Sequence, residues 1–264
     1  MILTGLAVGI AFGFVLQRGR FCVTNAFRSV WVARSGTWIT AFLLVIAVQA
    51  IGVAALTQLD LIHLSWGPLP WLGVIVGGLL FGVSIVLAGG CATGTWFRSG
   101  EGLVGSWIAL IFYAIGAAAM KHGSLSGVNA SVRSFTVPVT TIPALGVSAW
   151  IPTVVLALVV GVLVWRQLRK PARKVATLPP EKTGLAHWLF EAPWHPFLTA
   201  ALISVIAIIT YPLSEATGGH AGLGITTPTG NLLEWTVTGD VSYIDWGVLL
   251  VVGILVGSFI AAAA

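Results

Sequence analysis

Seven long stretches of the chain carry no charged residue and are almost entirely apolar. They cover residues 2–16, 36–57, 71–88, 103–120, 148–165, 197–213 and 246–264. A helix needs about 20 apolar residues to cross the hydrocarbon core of a bilayer, and most of these stretches approach that length, the first being the shortest. Only 8% of the residues are charged, against about 25% in a soluble domain. The sequence therefore predicts an all-α integral membrane protein that crosses the bilayer several times.

The polar stretches between these segments are short and predict no soluble domain. The longest, 121–147 and 214–245, are rich in Gly, Thr and Pro and are expected to be loops. The charges at the N-terminus follow the first apolar run, which argues against a cleavable signal peptide. We expect one transmembrane transporter domain over 1–264, with lipid around it and no nucleic-acid partner.

Positive charge is concentrated in one connector and sets the expected orientation. Cytoplasmic loops of membrane proteins are enriched in Lys and Arg. If each apolar segment crosses the membrane, five other basic residues also lie on the cytoplasmic side, and only Lys121 and Arg133 lie outside. The N-terminus is then expected to be external. The connector carries Arg166, Arg169, Lys170, Arg173, Lys174 and Lys182, and the five others are Arg18, Arg20, Arg28, Arg34 and Arg98.

An internal repeat surrounds the chain's two cysteines, in "VLQRGRFCVTNAFR" and "LAGGCATGTWFRSGEG". When Cys22 is superimposed on Cys91, Thr24 falls on Thr93, Gly9 on Gly78 and Gly13 on Gly82. Both units share an apolar helix, a glycine-marked break, a cysteine and a short piece that contains Arg. Glycines four residues apart let membrane helices approach closely, so helix packing is the expected role of the glycine pairs.

Each cysteine follows a break in an apolar run. Gly19 precedes Cys22, and Gly89-Gly90 precede Cys91. Non-helical backbone at membrane depth survives only where protein or a water-filled cavity surrounds it. The short pieces 23–33 and 92–97 cannot span the membrane and are predicted to be half-helices. Each thiol would then lie at a helix N-terminus, which favours an anion.

The second half of the chain repeats this pattern faintly. "ATGGHAGLGITTPTGN", residues 216–231, follows an apolar run as the first cysteine motif does, without a cysteine. Its preceding run crosses in the opposite direction, so the halves, 1–122 and about 148–264, would be inverted. Inverted repeats with broken helices are typical of transporters. If the halves are equivalent, a counterpart of the unit around Cys91 should follow in the second half, and the sequence contains none. We therefore expect the sequence to be incomplete at its C-terminus.

The residue types favour a transport pathway over catalysis. Two cysteines without CxxC or histidine spacing do not predict a metal site, and no cofactor is expected. The five histidines lie in connectors or at segment ends, so no Cys–His pair can be argued. A thiol is a weak donor with a soft sulfur and suits a ligand that also carries soft sulfur. The candidate pathway residues are Arg20, Cys22, Thr24, Asn25, Gly89, Gly90, Cys91, Thr93, Gly94, Arg98, Glu101 and Lys121.

The charged candidates have two interpretations each. Arg20 and Arg98 either attract an anion or are flanking cytoplasmic charges. Glu101 either caps the helix that starts near Leu103 or pairs with Arg98 to gate an inner exit. Lys121 either complements the C-terminal dipole of its helix or attracts anions to an outer vestibule.

"RGRFCVTNAFR" and "LAGGCATGTW" resemble the YeeE/YedE family of bacterial membrane proteins over nearly the whole chain. The resemblance implies a multi-pass inner-membrane protein of hourglass shape, with short helices that point to a central constriction. It also implies uptake of thiosulfate from periplasm to cytoplasm through S–H···S contacts, first to Cys91 and later to Cys22.

The same resemblance implies a third pathway cysteine nearer the C-terminus, in a motif that this sequence does not contain. Three alternatives stay open: a carrier of another sulfur or selenium compound, a membrane sulfurtransferase or thiol-redox enzyme, and a purely structural subunit. A sulfur-accepting protein on the cytoplasmic face is an expected partner.

Overall fold

The protein is a bundle of α-helices. The computed structural model describes residues 2–63, 68–137, 148–170, 183–184, 186–218 and 222–263. In these ranges the β-pairing consists of one isolated bridge, between Leu69 and Val137. The α-helices, in chain order, are α1 Leu3–Gly19, α2 Val23–Trp31, α3 Thr37–Gln58, α4 Trp71–Leu87, α5 Ala92–Gly100, α6 Val104–Lys121, α7 Ser126–Ser134, α8 Trp150–Leu168, α9 Pro196–Glu215, α10 Thr226–Thr238 and α11 Trp246–Ala263.

The seven predicted apolar segments coincide with α1, α3, α4, α6, α8, α9 and α11. In the described part of the chain, seven helical segments are long and apolar enough to cross a membrane, two of them counted together with the short helices α2 and α5. The predicted all-α polytopic fold is confirmed. The basic residues Arg173, Lys174 and Lys182, and residues 219–221 of the second-half motif, lie outside the described residues.

The predicted polar loops contain helices, and this part of the sequence analysis is wrong. Residues 214–245 include α10, and residues 121–147 include the short helix α7. The buried residues of α10 run from Pro228 to Asn231, and Gly230 lies against the backbone of α6. Residues that pack against protein need no apolar surface for lipid, so hydropathy does not reveal this part of the helix.

α1 and α11 pack side by side in the same direction along glycine faces. A Cβ atom on Gly9 would overlap the carbonyl oxygen of Leu250, and one on Gly253 would come within 2.8 Å of the Gly9 Cα. Near the start of both helices, the Trp246 indole N–H donates to Thr4 Oγ1 over 3.0 Å. Glycine at these positions lets the two backbones touch, which is the main source of attraction between helices in lipid.

Helix ends that the sequence assigns to one side of the membrane lie together. Arg18 Nη2 donates to the Ala192 carbonyl over 3.0 Å, just before the start of α9. At the opposite end of the bundle, His63 Nδ1 lies 2.9 Å from a carboxylate oxygen of Glu215, at the end of α9. These contacts agree with alternate crossings, and the identity of the cytoplasmic side stays a prediction.

The packing role predicted for the four repeat glycines is confirmed in α1, whereas in α4 it stays a prediction because no described residue packs against these glycines. Gly13 lies against the Ile254 backbone, whereas a Cβ on Gly78 or Gly82 would have no described atom within 4 Å. Of α4, only Ile85 is buried by the described residues.

The contrast between Gly9 and Gly78 gives a matched stability test. We expect Gly9→Ala to destabilise the protein by about 1–3 kcal/mol, because the added methyl group forces α1 away from α11. Gly78→Ala adds the same methyl group at an open position and should leave stability unchanged. The measurement is thermal unfolding of detergent-purified protein; equal transition temperatures for both variants would contradict the packing argument.

Candidate functional site

Each cysteine forms the N-cap of a nine-residue helix, Cys22 of α2 and Cys91 of α5. Both residues are extended, with φ and ψ of −146° and 137° for Cys22 and −74° and 176° for Cys91. An extended residue before a helix directs its side chain toward the free amides of the first turn. The half-helices predicted from the sequence are therefore present, with the thiols at their N-termini.

The two thiols meet in the interior. Cys22 Sγ lies 3.6 Å from Cys91 Sγ, and the residues are 3% and 6% exposed. The Gly94 amide donates to Cys91 Sγ over 3.4 Å, which closes the first turn of α5 on the sulfur. A Cβ on Gly94 would lie 2.8 Å from Cys22 Sγ. The absence of a side chain at Gly94 therefore leaves the space in which the second thiol sits.

The polar residues next to the thiols differ in their contacts. Thr24 lies beside the Cys22 thiol, and its buried hydroxyl has no well-oriented partner in the described ranges. Asn25 and Thr93 are half-buried in the first turns of α2 and α5. Sequence reasoning missed Thr95, whose buried hydroxyl donates to the Cys91 carbonyl over 3.0 Å.

Arg98 supports the break before Cys91. Its guanidinium donates to the carbonyl of Gly89, a residue with φ of +68°, in the left-handed region that favours glycine. Gly90 continues this turn, close to the start of α5. Arg98 therefore binds the backbone that leads into Cys91, and the predicted pairing of Arg98 with Glu101 is replaced by this contact.

Glu101 forms an ion pair with Arg20 instead. Arg20 Nη1 lies 2.9 Å from Glu101 Oε1, with the arginine side chain 67% exposed and the glutamate side chain 10% exposed. The capping role predicted for Glu101 is wrong, because it lies at the C-terminal end of α5 and α6 is preceded by Leu103. The ion pair joins the residue at the end of α1, just before Cys22, to the end of the helix that begins after Cys91.

Lys121 lies in a second polar cluster. Its ammonium group donates to Asn231 Oδ1 over 2.7 Å, and Asn231 Nδ2 donates to Asp245 Oδ2 over 2.9 Å. No described contact joins this cluster directly to the thiols. The cluster ties the end of α6 to α10 and to the start of α11.

The second-half motif reaches the first half through α10. Trp96 Nε1 donates to Thr229 Oγ1 over 3.0 Å, and Tyr113 donates to Thr226 Oγ1 over 2.6 Å. The first turn of α10 therefore lies beside α5 and α6. Sequence reasoning named the motif but missed Trp96 and Thr229; Pro228 in the first helical turn was the available indication.

The described residues contain no group of three or more His, Cys, Asp or Glu side chains that could hold a metal ion. The site consists of two thiols, backbone amides and hydroxyl groups. Such a set can offer weak hydrogen bonds and a polarizable surface to a soft ligand.

Comparison with known proteins identifies the family. The Sulphur transport family matches residues 18–264. The chain is 51% identical over 265 residues to the thiosulfate transporter TsuA of Escherichia coli (strain K12), with all of this chain and 75% of that protein covered. It is 34% identical over 277 residues to the thiosulfate transporter TsuA of Spirochaeta thermophila, with all of this chain and 78% of that protein covered.

A shorter match confirms the predicted resemblance to YeeE/YedE proteins. The probable transporter YedE of Salmonella typhimurium is 38% identical over 122 residues, which cover 45% of this chain and 29% of that protein. Together with the apolar helices, these matches identify a multi-pass bacterial membrane protein that is a transporter rather than an enzyme. The chain belongs to the Sulphur transport family.

Proposed function

We propose that the protein carries thiosulfate from the periplasm to the cytoplasm, by way of Cys91 and then Cys22. The observation that carries this proposal is the 3.6 Å contact between the two buried thiols at two helix N-termini. Two relatives named as thiosulfate transporters, each matched along the whole of this chain, support the choice of substrate.

The thiol pair suits the sulfur end of thiosulfate. The terminal sulfur of this dianion is soft and polarizable and accepts a weak S–H donor, as a thiol does. Because the thiols already touch, an ion held by Cys91 needs only a small shift to reach Cys22. Weak contacts at two adjacent positions permit release, which conduction requires.

Helix amides complement the oxygen end. The N-termini of α2 and α5 both lie at the thiols, where free N–H groups and the helix dipoles attract negative charge. The Thr24 hydroxyl, which lies beside the Cys22 thiol, supplies a further donor. Backbone amides and hydroxyl groups thereby stabilise the dianion at the thiols.

The Arg20–Glu101 pair is proposed to act at the cytoplasmic exit. Arg20 lies two residues before Cys22 and is exposed, on the side that the charge pattern assigns to the cytoplasm. The Glu101 carboxylate balances part of its charge, so the arginine attracts the anion without trapping it. Cys22 is then the later of the two thiols on the path.

The remaining predictions extend this proposal. Lys121 is exposed and bonded to a neutral amide, so its charge remains available to attract anions on the outer side. We further propose that the chain acts as one transport domain, because the thiol contact and the Trp96–Thr229 bond connect distant segments. The inverted relation of the halves and the cytoplasmic sulfur-accepting protein stay predictions.

Replacing the outer thiol tests the role of sulfur. Cys91→Ala should abolish uptake, and Cys91→Ser should reduce it at least tenfold, about 1.4 kcal/mol, because a hydroxyl is a harder partner for the terminal sulfur. The measurement is uptake of radiolabelled thiosulfate into proteoliposomes, with sulfate, sulfite and selenite as competitors. Ile51→Ala on the exposed face of α3 is the control and should transport normally.

Two outcomes of this experiment count against the proposal. Wild-type uptake by Cys91→Ser would remove the argument from soft sulfur. Inhibition by selenite or sulfite at concentrations equal to that of thiosulfate would show that the site does not select thiosulfate.

The exit ion pair predicts a non-additive double mutant. Arg20→Gln should lower uptake more than Glu101→Gln, because it leaves a nearly buried carboxylate that repels the substrate. The double variant Arg20→Gln with Glu101→Gln should recover part of that loss, with a coupling energy of about 0.5–3 kcal/mol. Initial uptake rates at low thiosulfate concentration measure this cycle, and strict additivity would show that the pair does not act on the substrate.

A further inference from the structure

The two thiols are placed for a reaction with each other as well as with a substrate. We propose that Cys22 and Cys91 form an intramolecular disulfide on exposure to a small hydroperoxide, and that this modification closes the transporter until the bond is reduced. Formation of the disulfide follows from the geometry alone. Its effect on transport rests on the proposed function of the thiols.

The geometry requires little movement. The sulfurs lie 3.6 Å apart, and a disulfide needs about 2.05 Å, so they must approach by about 1.5 Å. Both cysteines are N-caps in extended conformation, so rotation of their side chains leaves the backbone hydrogen bonds of α2 and α5 in place and affects only the capping bond from the Gly94 amide to Cys91 Sγ. Gly94 has no side chain that would crowd the two sulfurs as they approach each other.

The chemistry balances with hydrogen peroxide as the oxidant. One thiol sulfur attacks the peroxide, the O–O bond breaks, and a sulfenic acid and one water molecule form. The second thiol then attacks the sulfenic sulfur, and the S–S bond forms as the S–O bond breaks. The hydroxyl group of the sulfenic acid leaves with the thiol proton as a second water molecule. The thiols lose two electrons and two protons in total, and a dithiol reductant restores both by exchange.

Burial makes the reaction selective for small oxidants. Cys22 and Cys91 are 3% and 6% exposed, so neither sulfur can reach and attack a bulky disulfide such as oxidised glutathione. The same burial excludes a disulfide between two protein molecules. A neutral peroxide is smaller than thiosulfate and fits any passage that admits the anion.

The disulfide would remove both proposed contacts for the substrate. Neither sulfur then carries a hydrogen to donate, and the bond holds the N-termini of α2 and α5 together. We expect uptake to fall at least tenfold on oxidation and to return when the disulfide is reduced.

The experiment uses the full chain in lipid nanodiscs and in proteoliposomes. After peroxide treatment the protein is denatured and alkylated with N-ethylmaleimide, and its intact mass is measured. Untreated protein should carry one adduct on each of its two cysteines, and oxidised protein should carry none, with a mass lower by two hydrogen atoms. A phosphine reductant should restore both adducts and uptake, and oxidised glutathione should cause no change.

The outcomes separate this inference from the proposed function. Two alkylated thiols, a sulfinic acid or disulfide-linked dimers after peroxide treatment would overturn the inference, while the result for Cys91→Ser decides the proposed function independently. An intramolecular disulfide with undiminished uptake would overturn both, because transport would then not use the thiols. In the single variants Cys22→Ala and Cys91→Ala, the thiol that attacks the peroxide should stop at the sulfenic acid and give a dimedone adduct after denaturation; absence of the adduct in both variants would contradict the proposed direct reaction.

Discussion

The close contact between α1 and α11 is the interaction on which the site depends. Apolar surface provides no drive for helices to associate in lipid, so attraction comes from backbone contact across small residues. Gly9 and Gly253 allow that contact on the two helices. Further along α11, Ser258 lies against Gly100 of α5. α11 therefore packs against both cysteine-bearing units. Because α1 and α5 contact the same helix, the N-termini of α2 and α5 converge.

Converging helix ends carry a cost that the neighbouring residues offset. An unpaired backbone group in the hydrocarbon costs several kcal/mol, so a broken helix needs partners for its free amides and carbonyls. After α1, the amide of Phe21 donates to the Leu16 carbonyl over 3.2 Å. Before α5, the Gly89 carbonyl accepts from Arg98. Arg98 thus stabilises the break before Cys91, and a charged residue that the sequence suggests for anion attraction contributes to the framework instead.

The sequence predicts what is local and misses what depends on distant contacts. Apolar length identifies the seven long helices, and glycines before Cys22 and Cys91 identify the breaks, because lipid and backbone geometry act on neighbouring residues. The repeat shows that the two cysteines occupy equivalent positions in their units, but it does not predict the distance between them. Their contact arises because both units pack on α11. The sequence misses the pairing of Arg20 with Glu101 and the polar helix α10 for the same reason: both depend on contacts between distant segments, which hydropathy does not record.

The composition of the thiol site bears on selection among anions. Sulfate and thiosulfate are both tetrahedral dianions, so attraction by helix N-termini favours them equally and cannot separate them. Discrimination is a difference between two binding free energies and must come from the one position at which the ions differ. At that position sulfate presents a strongly hydrated oxygen, which loses water contacts that two weak, buried S–H donors do not replace. The terminal sulfur of thiosulfate loses less, because its bonds to water are weaker, and it gains contact with two polarizable atoms. Under the proposed function, a pair of touching thiols would therefore discriminate against sulfate because its S–H groups are poor partners for an oxygen anion.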